Sequence, residues 1–128
     1  MTINSKCPCG SGEKYKKCCN PYHKGKIAQS ALLLMKSRYS AFVYNEYKYI
    51  INTTHSTTRD TNIEAVKNFS KQTKFENLQI IHFEENENEA YVTFKATLFS
   101  NSQDISFTEK SKFLKENNKW YYVNGEFI

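Results

Sequence analysis

The sequence predicts an α+β protein, with helices first, an antiparallel sheet afterwards and a small cysteine module in front of both. Three observations point there. All four cysteines fall between Cys7 and Cys19. Apolar residues then recur at three- and four-residue steps from Ala31 to Ile51, the period of a helix face. From Phe75 onward the period becomes two, as in half-buried strands. A run of helices followed by a run of strands favours a layered α+β arrangement. The expected division is a cysteine module over residues 1–25 and a second domain over 26–128. A chain of 128 residues can bury one ordinary core and a short appendage besides. Nine Tyr, nine Phe and one Trp make that a core of rings.

The module reads Cys7-Pro8-Cys9-Gly10-Ser11-Gly12-Glu13-Lys14-Tyr15-Lys16-Lys17-Cys18-Cys19. Pro8 fixes φ between the first two sulfurs, and Gly10 and Gly12 supply backbone freedom where amides fold over a metal. Ser11 is expected to cap a short helical turn through Glu13–Lys17 that returns Cys18 and Cys19 to the same point. Four sulfurs with no open position make a structural zinc site, although iron also suits a tetrathiolate. Two disulfides would require strained or tightly crossed pairing, and the C-x-x-C spacing of a redox pair is absent. His23, four residues beyond Cys19, competes with Cys19 as the fourth ligand.

Charge is concentrated on the same segment. Residues 1–26 hold six lysines against Glu13 alone, so the whole net charge of +5 lies there. Lys14, Tyr15, Lys16, Lys17, Tyr22 and Lys24 interleave cations and rings, which admits weak, salt-dependent nucleic-acid binding beside attraction to an acidic protein. The plainer reading is that the lysines solubilise the module and offset its thiolates. No stretch approaches eighteen apolar residues, and the start Met1–Lys6 lacks the apolar run of a secretory signal. A cytoplasmic location is expected, where thiols stay reduced and clustered cysteines favour metal.

Gly25 and its polar neighbours form a hinge. A first long helix carries Ala31, Leu34, Met35, Tyr39 and Phe42. Asn45 interrupts it, and Tyr47, Ile50 and Ile51 resume the pattern as far as the loop Asn52–Thr58. Thr61-Asn62-Ile63-Glu64 reads as a capping box for a further helix bearing Ala65, Val66 and Phe69. Strands are expected over about Leu78–Glu84, then Ala90 to Leu98 after the acidic turn Glu85–Asn88. Two more follow, over Asp104–Lys115 and, beyond Glu116-Asn117-Asn118, over Trp120–Val123.

One strand suggests a pocket. Ile105, Phe107, Glu109, Ser111 and Phe113 share a face if no bulge intervenes, placing a carboxylate and a hydroxyl among apolar side chains. Arg38 sits beside the Tyr39/Phe42 stripe. The functional reading is a small-molecule or enzymatic pocket with Glu109 as acid or base, and with Arg38 and His55 binding an anion. The structural reading is an Arg38–Glu109 pair, hydrogen-bonded to Ser111 or to loop carbonyls, that fixes the helix on the sheet. No second carboxylate or nucleophile–base pair accompanies Glu109, which favours a non-enzymatic protein. Trp120 and Tyr122 are core residues of the concave face, or a stacking platform lining the pocket.

The run from Cys7 to Cys19 resembles the SEC-C motif, the zinc module at the C-terminus of the SecA translocation ATPase. That resemblance implies Cys7, Cys9, Cys18 and Cys19 as ligands, the last being often His elsewhere. It also implies contacts with partner proteins such as a chaperone or the ribosome, hence an adaptor. Leu34-Met35-Lys36-Ser37-Arg38-Tyr39-Ser40-Ala41-Phe42, Thr54-His55, Glu109-Lys110-Ser111-Lys112-Phe113 and Trp120–Gly125 resemble the bacterial YchJ-like family. Membership implies a cone-shaped domain similar to nuclear transport factor 2, with helices in the concave face of a curved sheet. In the adaptor reading the cone domain is expected to act as a scaffold or to dimerise. Many members carry a second SEC-C motif at the C-terminus; this sequence reaches Ile128 without one.

Overall fold

A computed structural model describes residues 2–59 and 62–128. The cysteine segment forms a 3-10 turn, Tyr15–Lys17, and a single-turn helix α1, Asn20–His23. Helices α2 (Ala31–Val43), α3 (Tyr47–Asn52) and α4 (Ile63–Gln72) follow. Strands β1 (Lys74–Glu85), β2 (Glu89–Ser100), β3 (Gln103–Asp104), β4 (Phe107–Glu116) and β5 (Lys119–Phe127) complete the chain.

Helix α2 starts at Ser30, whose side chain accepts from Leu33 N at 3.1 Å. The Glu85 carboxylate, from the far end of β1, accepts from Ala31 N at 2.9 Å and places negative charge at the helix N-terminus. The helix ends where Asn45 turns to φ +57°, a left-handed conformation that Asn tolerates. Its buried residues are Ala31, Leu34, Met35, Ser37, Arg38, Tyr39, Ser40 and Ala41, so two faces are covered. The capping box expected for α4 rested partly on Thr61, which lies outside the described residues. The cap is Asn62, whose side chain accepts from Ala65 N at 3.1 Å.

The sheet is antiparallel in the order β1-β2-β4-β5, with β3 paired to β2. Ala90, Val92, Phe94, Ala96 and Leu98 are all buried, as the alternation predicts. The expected strand over Asp104–Lys115 is broken. Ser106 N bonds the Asp104 carboxylate at 2.9 Å, and Ser106 Oγ accepts from Leu98 N at 2.9 Å, replacing ladder pairing by a turn. Ile105 therefore falls outside β4 and is 37% exposed. Asn117 and Asn118 adopt φ +51° and +64°, the positive pair a tight hairpin requires. Register shifts at Phe75/Asn77, Ile80/His82 and Lys112/Phe113 add local bend to the sheet.

The main core joins α2 to the inner face of the sheet and includes Phe113 and Trp120. A second, small cluster contains Cys7, Cys9, Cys19 and Tyr15, flanked by Cys18 and Tyr44.

Candidate metal centre and cavity

Residues 5–19 close on themselves through backbone bonds. Cys7 N donates to Glu13 O at 2.8 Å, Gly10 N to Cys7 O at 3.2 Å and Tyr15 N to Ser5 O at 2.8 Å. Gly10 and Gly12 sit at φ +85° and +87°, where a side chain would be strained. The helical turn begins at Tyr15, not at Glu13, and Ser11 does not cap it: Ser11 Oγ accepts from Glu13 N at 3.2 Å and lies 3.1 Å from Cys18 Sγ. Lys14, at the cap position, is extended because it pairs with Lys6 in a β-bridge.

The outcome is four sulfurs within 4.8 Å of one another, with Cys9 Sγ and Cys18 Sγ 3.6 Å apart. Zinc–thiolate bonds of about 2.3 Å imply tetrahedral edges of about 3.8 Å, so this donor set fits a single ion. Electrostatics favours one too. Hydrogen bonds from Cys19, then Cys9, drive the Cys7 thiol far below its ordinary range. The contacts with Cys7 and Cys9, then burial, push Cys19 far up. Burial pushes Cys18 up to about 11. Four thiolates cannot share this space without a cation, and a divalent ion removes the conflict.

His23 has other occupations. Its Nε2 lies 2.8 Å from Ser37 O, a pure acceptor, so Nε2 carries the proton and Nδ1 accepts from Tyr15 OH at 2.5 Å. Burial lowers its pKa, which agrees with the neutral ring. Tyr15, only 2% exposed, also stacks on Tyr44 with centroids 3.8 Å apart. Cys7 Sγ lies 3.4 Å from Ser40 Oγ, and Cys19 Sγ points at Lys36 O at 3.7 Å. The sulfur cluster is thus seated on one face of α2. Ser37 and Ser40 were not singled out from the sequence. Their signal is small size: with Ala41 they leave a helix face that another chain segment can approach closely.

The opposite face of α2 looks into a cavity of about 390 Å3. Met35, Tyr39 and Phe42 from α2 line it with Ala65, Val66 and Phe69 from α4 and rings from the sheet. Arg38, Glu109, Ser111 and Tyr122 form its polar part. The expected Arg38–Glu109 pair is not a hydrogen-bonded one. Arg38 Nη1 instead donates to Ile50 O at 2.9 Å, Thr53 Oγ1 at 2.7 Å and Thr54 Oγ1 at 3.2 Å, and its guanidinium lies 4.6 Å from the Tyr122 ring centroid. Burial pulls the guanidinium down to about 10, against the opposing influence of Tyr122, Tyr49 and Glu109. Glu109 Oε2 accepts from Ser111 Oγ and, at 3.3 Å, from Tyr122 OH. The Glu109 side chain lies over Gly125, where an added Cβ would clash with Oε2.

His55 and Trp120 are elsewhere. His55 is buried in the loop after α3, with Nε2 2.6 Å from Glu116 and Nδ1 2.7 Å from Thr57 Oγ1. With both nitrogens engaged there, it does not join Arg38 as an anion site. Trp120 is 4% exposed within the main core and does not line the cavity, so the stacking-platform reading fails. Tyr122, read as a core ring, is the residue linking Arg38 to Glu109.

The family profile "YchJ, middle NTF2-like domain" matches residues 30–125, and the SEC-C motif matches residues 4–21. The UPF0225 protein YchJ of Shigella dysenteriae is 36% identical, over 93% of this chain and 81% of that one. A UPF0225 protein of Photorhabdus laumondii is 41% identical, over 93% and 79%. Among solved structures, a SEC-C motif containing protein from Rhodopseudomonas palustris superposes with a TM-score of 0.87 at 30% identity, covering 95% of this chain and 98% of its own. A SEC-C motif containing protein from Psychrobacter arcticus gives 0.84 at 29%, covering 97% and 84%. The helices on the curved sheet are therefore the NTF2-like architecture that the motifs implied. No helix among the described residues is long and apolar enough to cross a membrane.

Proposed function

From the premise that this chain belongs to the YchJ family and carries a SEC-C motif, we propose that it is a non-enzymatic adaptor. Its Cys7/Cys9/Cys18/Cys19 centre holds zinc, and its basic knuckle binds an acidic protein surface. The cone domain is the scaffold. One observation carries the reading: Lys6, Lys14, Lys16, Lys17, Lys24 and Lys26 are all exposed, and no ion pair among the described residues involves any of them. The metal centre itself supports a structural role, since three of its four sulfurs are buried and all four are needed to close the shell. An acidic protein of the ribosome would offer the same kind of surface. The nucleic-acid version is weakened at one ring: Tyr15 is buried against Tyr44 and cannot stack on a base.

The test uses the metal-loaded full chain beside its Lys14→Glu/Lys16→Glu/Lys17→Glu variant, in pull-downs from bacterial lysate with single-stranded RNA as competitor. The expected result is loss of the recovered protein partner with metal stoichiometry unchanged and RNA without effect. Equal recovery by both proteins, or recovery abolished by RNA, overturns the reading.

A further inference from the structure

The cavity between α2, α4 and the sheet is independent of the knuckle's lysines and carries its own inference. Its size lies at the lower end of small-molecule sites, about 300–1,000 Å3. Helix α4 has a clear apolar stripe, yet of its residues only Ser70 is buried. Phe69 and Ile63 remain 38% and 42% exposed. A helix that turns its apolar face over a void leaves its packing incomplete. At the polar part of the lining, the two hydrogen bonds to Glu109 both fall on Oε2, and Oε1 has no hydrogen-bond partner among the described residues. Oε1 is not one of the buried polar atoms without a partner, so it stays accessible to a donor from outside the protein.

We propose that this cavity binds a neutral, ring-bearing molecule with one hydroxyl group, its ring against Phe69 and Phe107 and its hydroxyl donating to Glu109 Oε1. Charge decides the class. The cavity already holds one fixed cation, Arg38, and one carboxylate, Glu109. An anionic ligand would meet Glu109, and a cationic one would meet Arg38, each in a place where burial weakens screening. A neutral donor meets neither penalty. Arg38 does not compete for this carboxylate, since its Nη1 donates to acceptors on α3 and the following turn and none of its hydrogen bonds goes to Glu109. Ser111 and Tyr122 hold the carboxylate in place, so they act as positioning residues.

The experiment titrates the metal-loaded full chain with four probes of one shape: 2-naphthol, naphthalene, 2-naphthoate and protonated 2-naphthylmethylamine. Binding is read by calorimetry and by amide shifts in α4 and β4. The expected order places 2-naphthol at least about tenfold tighter than the other three, since a hydrogen bond to a charged acceptor is worth that much. Glu109→Gln reduces the preference of 2-naphthol over naphthalene by about tenfold. Ala65→Trp fills the mouth from an exposed helix position and abolishes all binding. Naphthalene or 2-naphthoate binding as tightly as 2-naphthol overturns the proposal, as does undiminished binding to the Ala65→Trp protein. The probe series decides the matter even if Glu109→Gln does not fold.

Discussion

The knuckle and the sheet domain meet on one helix and are held together by different means. In the sheet domain, five consecutive inward residues of β2 pack against α2 and the neighbouring strands, a core of the kind that supports itself. In the knuckle the buried residues are three cysteines and one tyrosine, far too few to offset the entropy of ordering that segment. What it lacks in apolar area must come from coordination. Yet the knuckle does not hang free, since Tyr15, His23, Cys7 and Cys19 all touch α2 or the residue that follows it. The difference teaches that α2 carries two chemistries: apolar burial on the side facing the sheet, and small hydroxyls and carbonyls on the side facing sulfur.

The sharpest way to break this comparison is to remove the metal. Chelation under reducing conditions should release on the order of 10 kcal/mol of stabilisation from the knuckle. Hydrogen exchange would then rise throughout residues 2–24 while β2 and β4 keep their protection. Equal loss of protection in both regions would show that they are not separately stabilised.

A smaller effect is expected from Arg38→Met, which strikes the sheet side alone. It deprives Ile50 O and the hydroxyls of Thr53 and Thr54 of their shared donor, at a cost of about 2–3 kcal/mol in urea unfolding. Metal affinity should not change. A drop in affinity would mean that the two faces of α2 are coupled.

The smallest effect concerns the contact between the regions. His23→Phe keeps a ring and removes two hydrogen bonds, costing about 1 kcal/mol. The pH dependence is more informative. Burial lowers the folded pKa of His23 below its ordinary 6.5, so the unfolded chain takes up the proton first. The contribution is fully present above pH 6.5 and is lost as pH falls through the lowered folded value. Stability curves of wild type and His23→Phe should therefore diverge above pH 6.5 and converge on acidification. Parallel curves would mean that His23 does not titrate with folding.

The parts legible in the sequence are those whose partners are close along the chain or repeat with a regular period. The four sulfurs gather within thirteen residues, and the alternation of β2 reports its own buried face. The helix stripe Ala31/Leu34/Met35/Tyr39 does likewise. The Arg38 environment was not legible, because its acceptors lie on α3 and the turn after it and become neighbours only after Asn45 reverses the chain. Nor was the His55–Glu116 contact, which spans sixty-one positions and depends on the loop after α3 reaching the last hairpin. The break at Ser106 follows from a side chain taking over backbone bonding, which periodicity cannot register. On α2, two covered faces blur the amphipathic signature that would have shown where the knuckle rests.

Ser37, Ser40 and Ala41 have no accessible surface at all. Helix α2 is consequently a partition with no spare thickness: a side chain one or two atoms larger at any of these positions must displace the sulfur cluster on one side or the cavity wall on the other. Bulk at three inconspicuous positions is thus the least conspicuous way to disturb both compartments at once, without altering a cysteine, a charge or a cavity residue.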